Sequence, residues 1–86
     1  MDPLATLAII NDPSEDSDMR TSHMHYLAEW LAKGGFAPLG ANLTHEALVF
    51  AHDTGRDAIE LAAAVNVALV NADNSGLRGL GYEIVS

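Results

Sequence analysis

The stretch Leu61 to Val70, Leu-Ala-Ala-Ala-Val-Asn-Val-Ala-Leu-Val, is ten residues long with one polar side chain and no charge, inside a chain of 86. Water has to be kept off it. A chain of this size buries on folding roughly 60 to 65% of the surface its unfolded form exposes, so its own interior is small. The run therefore lies in the chain's only core or on a surface that another copy or another protein covers. Residues 1–86 are read as a single small acidic domain, too short to hold a second.

There is no cysteine, so neither disulfides nor thiolate metal clusters can supplement that core. The N-terminal Met1-Asp2-Pro3 carries no basic residue before Arg20, unlike the start of a signal peptide, and an intracellular location, in a bacterium or a phage-infected host, is expected. The abundance of alanine beside a single lysine points to a GC-rich genome, a bias of coding and not of function. The apolar run is about half the roughly 20 residues that span a bilayer, and acidic chains are repelled by anionic headgroups, so no membrane role is expected.

Twelve Asp and Glu against four Lys and Arg give a formal charge of −8. Such a field opposes direct binding to nucleic acid, which needs cations to displace counterions from phosphates. It suits a basic protein surface, where complementary charge speeds and orients association. Solubility alone is the plain alternative.

Asp-Pro occurs at positions 2–3 and 12–13, each time placing a capping side chain before a proline suited to a first helical turn. A first helix is expected over Pro3 to Ile10, with Leu4, Leu7 and Ala8 on one side; a strand over Leu4 to Ile10 competes, because Ile9 and Ile10 are β-branched. Asp12 with Glu15 reads as a capping box for a second helix, with Asp16 and Asp18 in its first turns. Ser14 and Ser17 make the same stretch a candidate phosphorylation or docking strip. Met19, His23, Tyr26, Leu27, Trp30 and Leu31 follow at helical spacing, and Gly34-Gly35 ends the helix. Arg20 falls in that stripe and is expected to pair with Asp16, one turn back.

A loop from Gly35 to Asn42 leads to a third helix over Leu43 to Asp53, capped by Asn42 or Thr44, with Leu43, Ala47 and Phe50 inside. Thr54 precedes Asp57 by three, so Gly55 closes one helix and opens the next, which reaches about Ala72. On this fourth helix Ala58, Leu61, Val65, Ala68 and Ala72 form one line, and Ile59, Ala62, Ala63, Asn66 and Val70 the adjoining one. Apolar nearly all round, it fits the centre of a bundle. A strand over Val65 to Val70 is the alternative. After a polar stretch from Asn71 to Gly81, Tyr82, Ile84 and Val85 read as a short extended segment. The expected fold is mostly α, a compact bundle of about four helices with that segment at its end; the alternative is α+β, with N- and C-terminal strands paired.

Candidate chemistry fails on geometry. His23 and His25 lie about 200° apart around a helix, and His45 and His52 are separated by about 10.5 Å of rise, so neither pair chelates one ion from one helix. Only a site between helices, joining His52 or Asp53 to His25, would serve. Asn71 to Gly76 starts like a calcium loop, but the position that needs a bidentate glutamate is Tyr82, with Glu83 one residue late. Gly76, Gly79 and Gly81 match no phosphate-binding pattern. No nucleophile elbow or cysteine is present, and Asp53 with Asp57, though one turn apart, reads as a cap or a solvated face. No enzyme activity, metal or cofactor is expected.

What remains is a non-enzymatic interaction protein that binds a basic partner through Asp12, Glu15, Asp16 and Asp18 and through Glu46, Asp53, Asp57 and Glu60, with Tyr26 and Trp30 as aromatic anchors or as core. Its sharpest form is a bacterial or phage-encoded inhibitor, of the anti-CRISPR or DNA-mimic type, in a host protein's nucleic-acid-binding cleft. The alternative is a structural, homo-oligomeric subunit held by helix 58–72 through Leu61, Val65 and Leu69 and by the C-terminal segment through Tyr82 and Ile84.

Overall fold

The structure is a computed structural model and describes residues 2–84. It contains five helices: α1 (Pro3–Ile10), α2 (Ser17–Ala32), α3 (His45–Thr54), α4 (Arg56–Asn71) and α5 (Ser75–Gly79). No strand occurs among the described residues, so the mostly helical bundle is correct and the α+β alternative is not. Its radius of gyration, 11.5 Å, is close to the roughly 12 Å of a compact chain of this length.

α1 begins as Asp2-Pro3 predicts, the Asp2 carboxylate accepting from the amides of Leu4 and Ala5 at 3.0 and 3.4 Å. Its buried residues are Pro3, Thr6, Leu7 and Ile10, while Leu4 and Ala8, expected beside Leu7, are exposed. Ile9 and Ile10 do not turn it into a strand, because the cap and proline nucleate a helix and the i, i+3, i+4, i+7 set supplies a face for α2.

The Asp12 capping box does not form. Asp12 Oδ1 instead accepts from the Ser14 amide and hydroxyl at 2.9 and 2.7 Å, a side-chain-closed turn that reverses the chain between two helices. α2 therefore starts at Ser17, and its N-cap, Asp16, makes no side-chain capping bond. The buried face of α2 is also rotated from the expected stripe: Arg20, Met24, Leu27, Ala28, Leu31 and Ala32 are inside, whereas Met19 and Tyr26 are exposed and His23 and Trp30 half-buried. The helix carries two apolar stripes, and the one with leucines and small residues packs more closely. Gly34 at φ +86° ends α2, with its own amide bonded to Leu31 and that of Gly35 to Trp30.

α3 starts two residues later than expected, where Thr44 Oγ1 accepts from the Ala47 amide at 3.1 Å. Ala47 and Ala51 form its inner line, and Phe50 is only half-buried. Gly55, at φ +149°, separates α3 from α4 as expected, but Thr54 does not cap α4: its hydroxyl donates to the Phe50 carbonyl at 2.9 Å.

α4 is the central element, packed against α2, α3 and α5. Leu61, Ala62, Ala64, Val65, Ala68 and Leu69 are buried and Ala63, Val67 and Val70 are exposed, so the apolar run is mostly core. A strand at 65–70 would strand half of those side chains in water. Asn66, the one polar residue of the run, accepts from the Leu43 amide at 2.9 Å and so holds the loop that precedes α3.

The tail differs from expectation. Ser75 to Gly79 is a helical turn, started by Asp73 accepting from the Ser75 amide and pinned by Asn74 Nδ2 donating to the Leu31 carbonyl at 3.2 Å. Leu77, fully buried, drives it: removing one leucine from water stabilises by about 1.5 to 3 kcal/mol, more than the glycines on either side cost. Gly76 permits the close approach, since a Cβ there would lie 3.1 Å from that of Ala64. Tyr82 to Ile84 follow without strand pairing, and Val85 lies outside the described residues. The core thus takes one fully buried large side chain from each of α1, α2, α4 and α5: Ile10, Leu27, Val65 and Leu77.

Candidate functional site

Charge is distributed unevenly. Of four Lys and Arg, three are in ion pairs with glutamates: Arg20 with Glu46, Lys33 with Glu29 and Arg56 with Glu60. Arg20 does not pair with Asp16. It is buried, donates from Nε to the Ile10 carbonyl at 2.9 Å and from its two terminal nitrogens to Glu46 at 3.2 and 2.6 Å, and stacks its guanidinium 4.2 Å from the centre of the Phe50 ring. Three helices meet at this one side chain.

Of the eight carboxylates expected to meet a partner, Glu46 and Glu60 are thus already paired, and Asp53 lies 3.5 Å from the His52 ring at the end of α3. Asp57 is exposed in the first turn of α4. Asp12, Glu15, Asp16 and Asp18 are brought together by the α1–α2 turn and the start of α2, and none is in an ion pair among the described residues. The Ser14 hydroxyl and amide hold the Asp12 carboxyl below the usual carboxylate range, with a smaller contribution from the Arg20 charge, so Asp12 keeps its charge further into acid than a free carboxylate does.

The aromatic anchors lie further along α2, about two and three turns beyond Asp18. Tyr26 is 54% exposed, and Trp30 is half-buried with its indole N–H donating to the Phe36 carbonyl at 3.0 Å. Trp30 packs edge-on against Phe36 and Tyr26 edge-on against His23, with ring centres 5.8 and 5.2 Å apart. Phe36 and Met19 are 67% and 43% exposed; Met19 belongs to the expected stripe of α2, whereas Phe36 lies in the loop and no spacing marks it. The signal was present in the i, i+4, i+7, i+11 order of Met19, His23, Tyr26 and Trp30, which marks a face without saying which way it points.

A cleft of about 390 Å³ opens between α2, the end of α3 and the start of α4, floored by Met24, Phe50, Ala51 and Leu61 and rimmed by His25 and Asp57. Tyr82 covers a recess of about 350 Å³ next to it, its hydroxyl 2.6 Å from His25 Nδ1. Burial, and secondarily the charge of Glu29, push the Tyr82 phenol above its ordinary value, so it stays protonated at neutral pH. His23 Nδ1 is held 2.8 Å from the Met19 carbonyl, His45 opens α3, and no three His, Asp or Glu side chains converge among the described residues. Asp73 and Asn74, in the stretch that starts like a calcium loop, are engaged in holding α5.

The residues expected at an oligomer interface are mostly inside: Leu61, Val65 and Leu69 are buried in the chain's own core, and Tyr82 and Ile84 are half-buried against it. Among the described residues no helix is long and apolar enough to cross a membrane. The chain matches no family model, no curated protein and no solved structure.

Proposed function

We propose that this protein is a non-enzymatic interaction module that engages a basic surface of another protein through Asp12, Glu15, Asp16 and Asp18. The observation that carries the reading is the pairing of charge: three of the four cations are tied to glutamates within the chain, whereas Asp12, Glu15, Asp16 and Asp18, the first two half-buried and the last two exposed, are in no ion pair among the described residues. A fixed anionic patch on a small rigid scaffold raises association rates with cationic partners and sets their orientation. The corresponding biological role is inhibition, the pole occupying a cleft that its partner uses for nucleic acid, as an anti-CRISPR or DNA-mimic protein would.

Neutralising the pole tests this. The variant Asp12→Asn, Glu15→Gln, Asp16→Asn, Asp18→Asn is compared with one of equal net charge, Asp2→Asn, Asp53→Asn, Asp73→Asn, Glu83→Gln, in titrations against a fluorescent oligolysine at two salt concentrations. The first variant is expected to lose roughly tenfold or more in affinity and most of the salt dependence, the second much less. Equal losses would mean that only net charge matters and that the pole is no interface.

A further inference from the structure

α2 and α3 both pack against α4, and their first turns are tied together where Arg20 bonds to Glu46. Beyond that fastening lies the cleft of about 390 Å³ between α2, the end of α3 and the start of α4. The hollow has a cause in the sequence. Three of the residues that line it from α3, α4 and the joint between them are small, Ala51, Gly55 and Ala58, and they leave the room that larger side chains would fill. Protein interiors are otherwise close-packed, and space left beside so small a core costs stability that an occupant restores.

The cleft has the form of a small-molecule pocket. Its volume falls in the range of such sites, roughly 300 to 1,000 Å³, and at its mouth it adjoins the recess of about 350 Å³ beside Tyr82, the two sharing His25, Asp57 and Leu61. Met24, Ala51 and Leu61 are buried and Phe50 half-buried, which gives an apolar floor, whereas His25, Arg56 and Asp57 are exposed at the rim. An apolar body and one polar group are what such a lining accepts.

Charge at the rim selects the polar group. Arg56 lies 3.4 Å from Glu60 and is matched, while Asp57 is in no ion pair among the described residues. The floor carries no charged side chain, and the charge that lies against Phe50, the Arg20 guanidinium, is positive. A ligand cation is thus favoured beside Asp57 and disfavoured on the floor. A carboxylate would gain the first amides of α4, which no side chain caps, but it would stand next to Asp57 in a chain of formal charge −8.

We infer that this cleft binds a small organic ammonium compound, its apolar body on Met24, Phe50 and Leu61 and its ammonium group on the Asp57 carboxylate. The site is separate from the acidic pole, none of whose four residues lines the cleft.

Three probes of one shape test it: 2-phenylethylamine, 2-phenylethanol and 3-phenylpropanoate, titrated at low ionic strength while the amide resonances of Ala51, Ala58 and Leu61 are followed by NMR. The amine is expected to shift them with a Kd of roughly 1 mM or below, and to bind at least about fivefold more tightly than the alcohol and the carboxylate. Asp57→Asn should remove the preference for the amine over the alcohol, whereas Asp53→Asn, the same change of net charge outside the cleft, should keep it. Ala58→Leu fills the cleft and should abolish binding of all three probes; Ala58→Val is the milder variant, with a smaller loss in the same direction, and circular dichroism checks that both fold. The variant with a neutralised pole should bind the amine within about twofold of the unaltered protein. Equal binding of amine and alcohol overturns the inference, as do tighter binding of the carboxylate, unmoved cleft resonances, and a preference that survives Asp57→Asn. A loss in the pole variant as large as that in Asp57→Asn also overturns it, since the ammonium would then be held by the general field and not by the cleft.

Discussion

At single positions, the structure turns on a few side chains whose partners lie far away in the chain. Asn66 was visible only as an interruption of an apolar run, yet it holds the Leu43 amide, 23 residues distant. Asp12 looked like a helix cap because its spacing to Glu15 fits one, but a serine two residues on offered both an amide and a hydroxyl, and the turn won. Ala72 is the residue most open to improvement. It ends α4 in the left-handed region at φ +54°, which a Cβ makes costly and glycine does not. Ala72→Gly is expected to stabilise the fold by about 0.5 to 1 kcal/mol in urea unfolding; a destabilised variant would mean that the methyl group contributes packing that outweighs the strain.

Among the helices, starts and stops marked by glycine or by a single good cap followed the local signals. Asp2 opens α1, Gly34 closes α2 and Gly55 parts α3 from α4. The direction in which α2 faces did not follow them, because Met19, His23, Tyr26 and Trp30 satisfy helical periodicity as well as Met24, Leu27 and Leu31 do. Arg20 decides part of that choice by joining the end of α1 and the first turn of α3 to α2. Arg20→Met keeps the stem and removes the bonds, leaving the Ile10 carbonyl without its side-chain donor; a loss of about 1 to 3 kcal/mol is expected. Glu46→Gln should cost less, under about 1 kcal/mol, because Glu46 is half in water and its charge is readily solvated. If the two substitutions cost the same, the ion pair rather than the carbonyl bond would be the fastening that matters.

The whole molecule is a small bundle with a surplus of negative charge and few internal ion pairs to offset it. Self-repulsion should therefore be measurable: raising sodium chloride from low to physiological strength at neutral pH is expected to increase the melting temperature, as the added ions screen like charges over about 8 to 10 Å. A melting temperature that fell with salt would show that the ion pairs contribute more than the repulsion costs. Helical class, the central place of α4 and the acid-rich α1–α2 region were legible in the amino-acid sequence, because apolar periodicity, caps and charge are local properties. The face that α2 turns inward, the partner of Arg20, the helical turn at Leu77 and the exposure of Tyr26 came from tertiary packing. Each depends on which of several locally equivalent arrangements buries the most surface while leaving no polar group unpaired, and that is decided between segments distant in the chain.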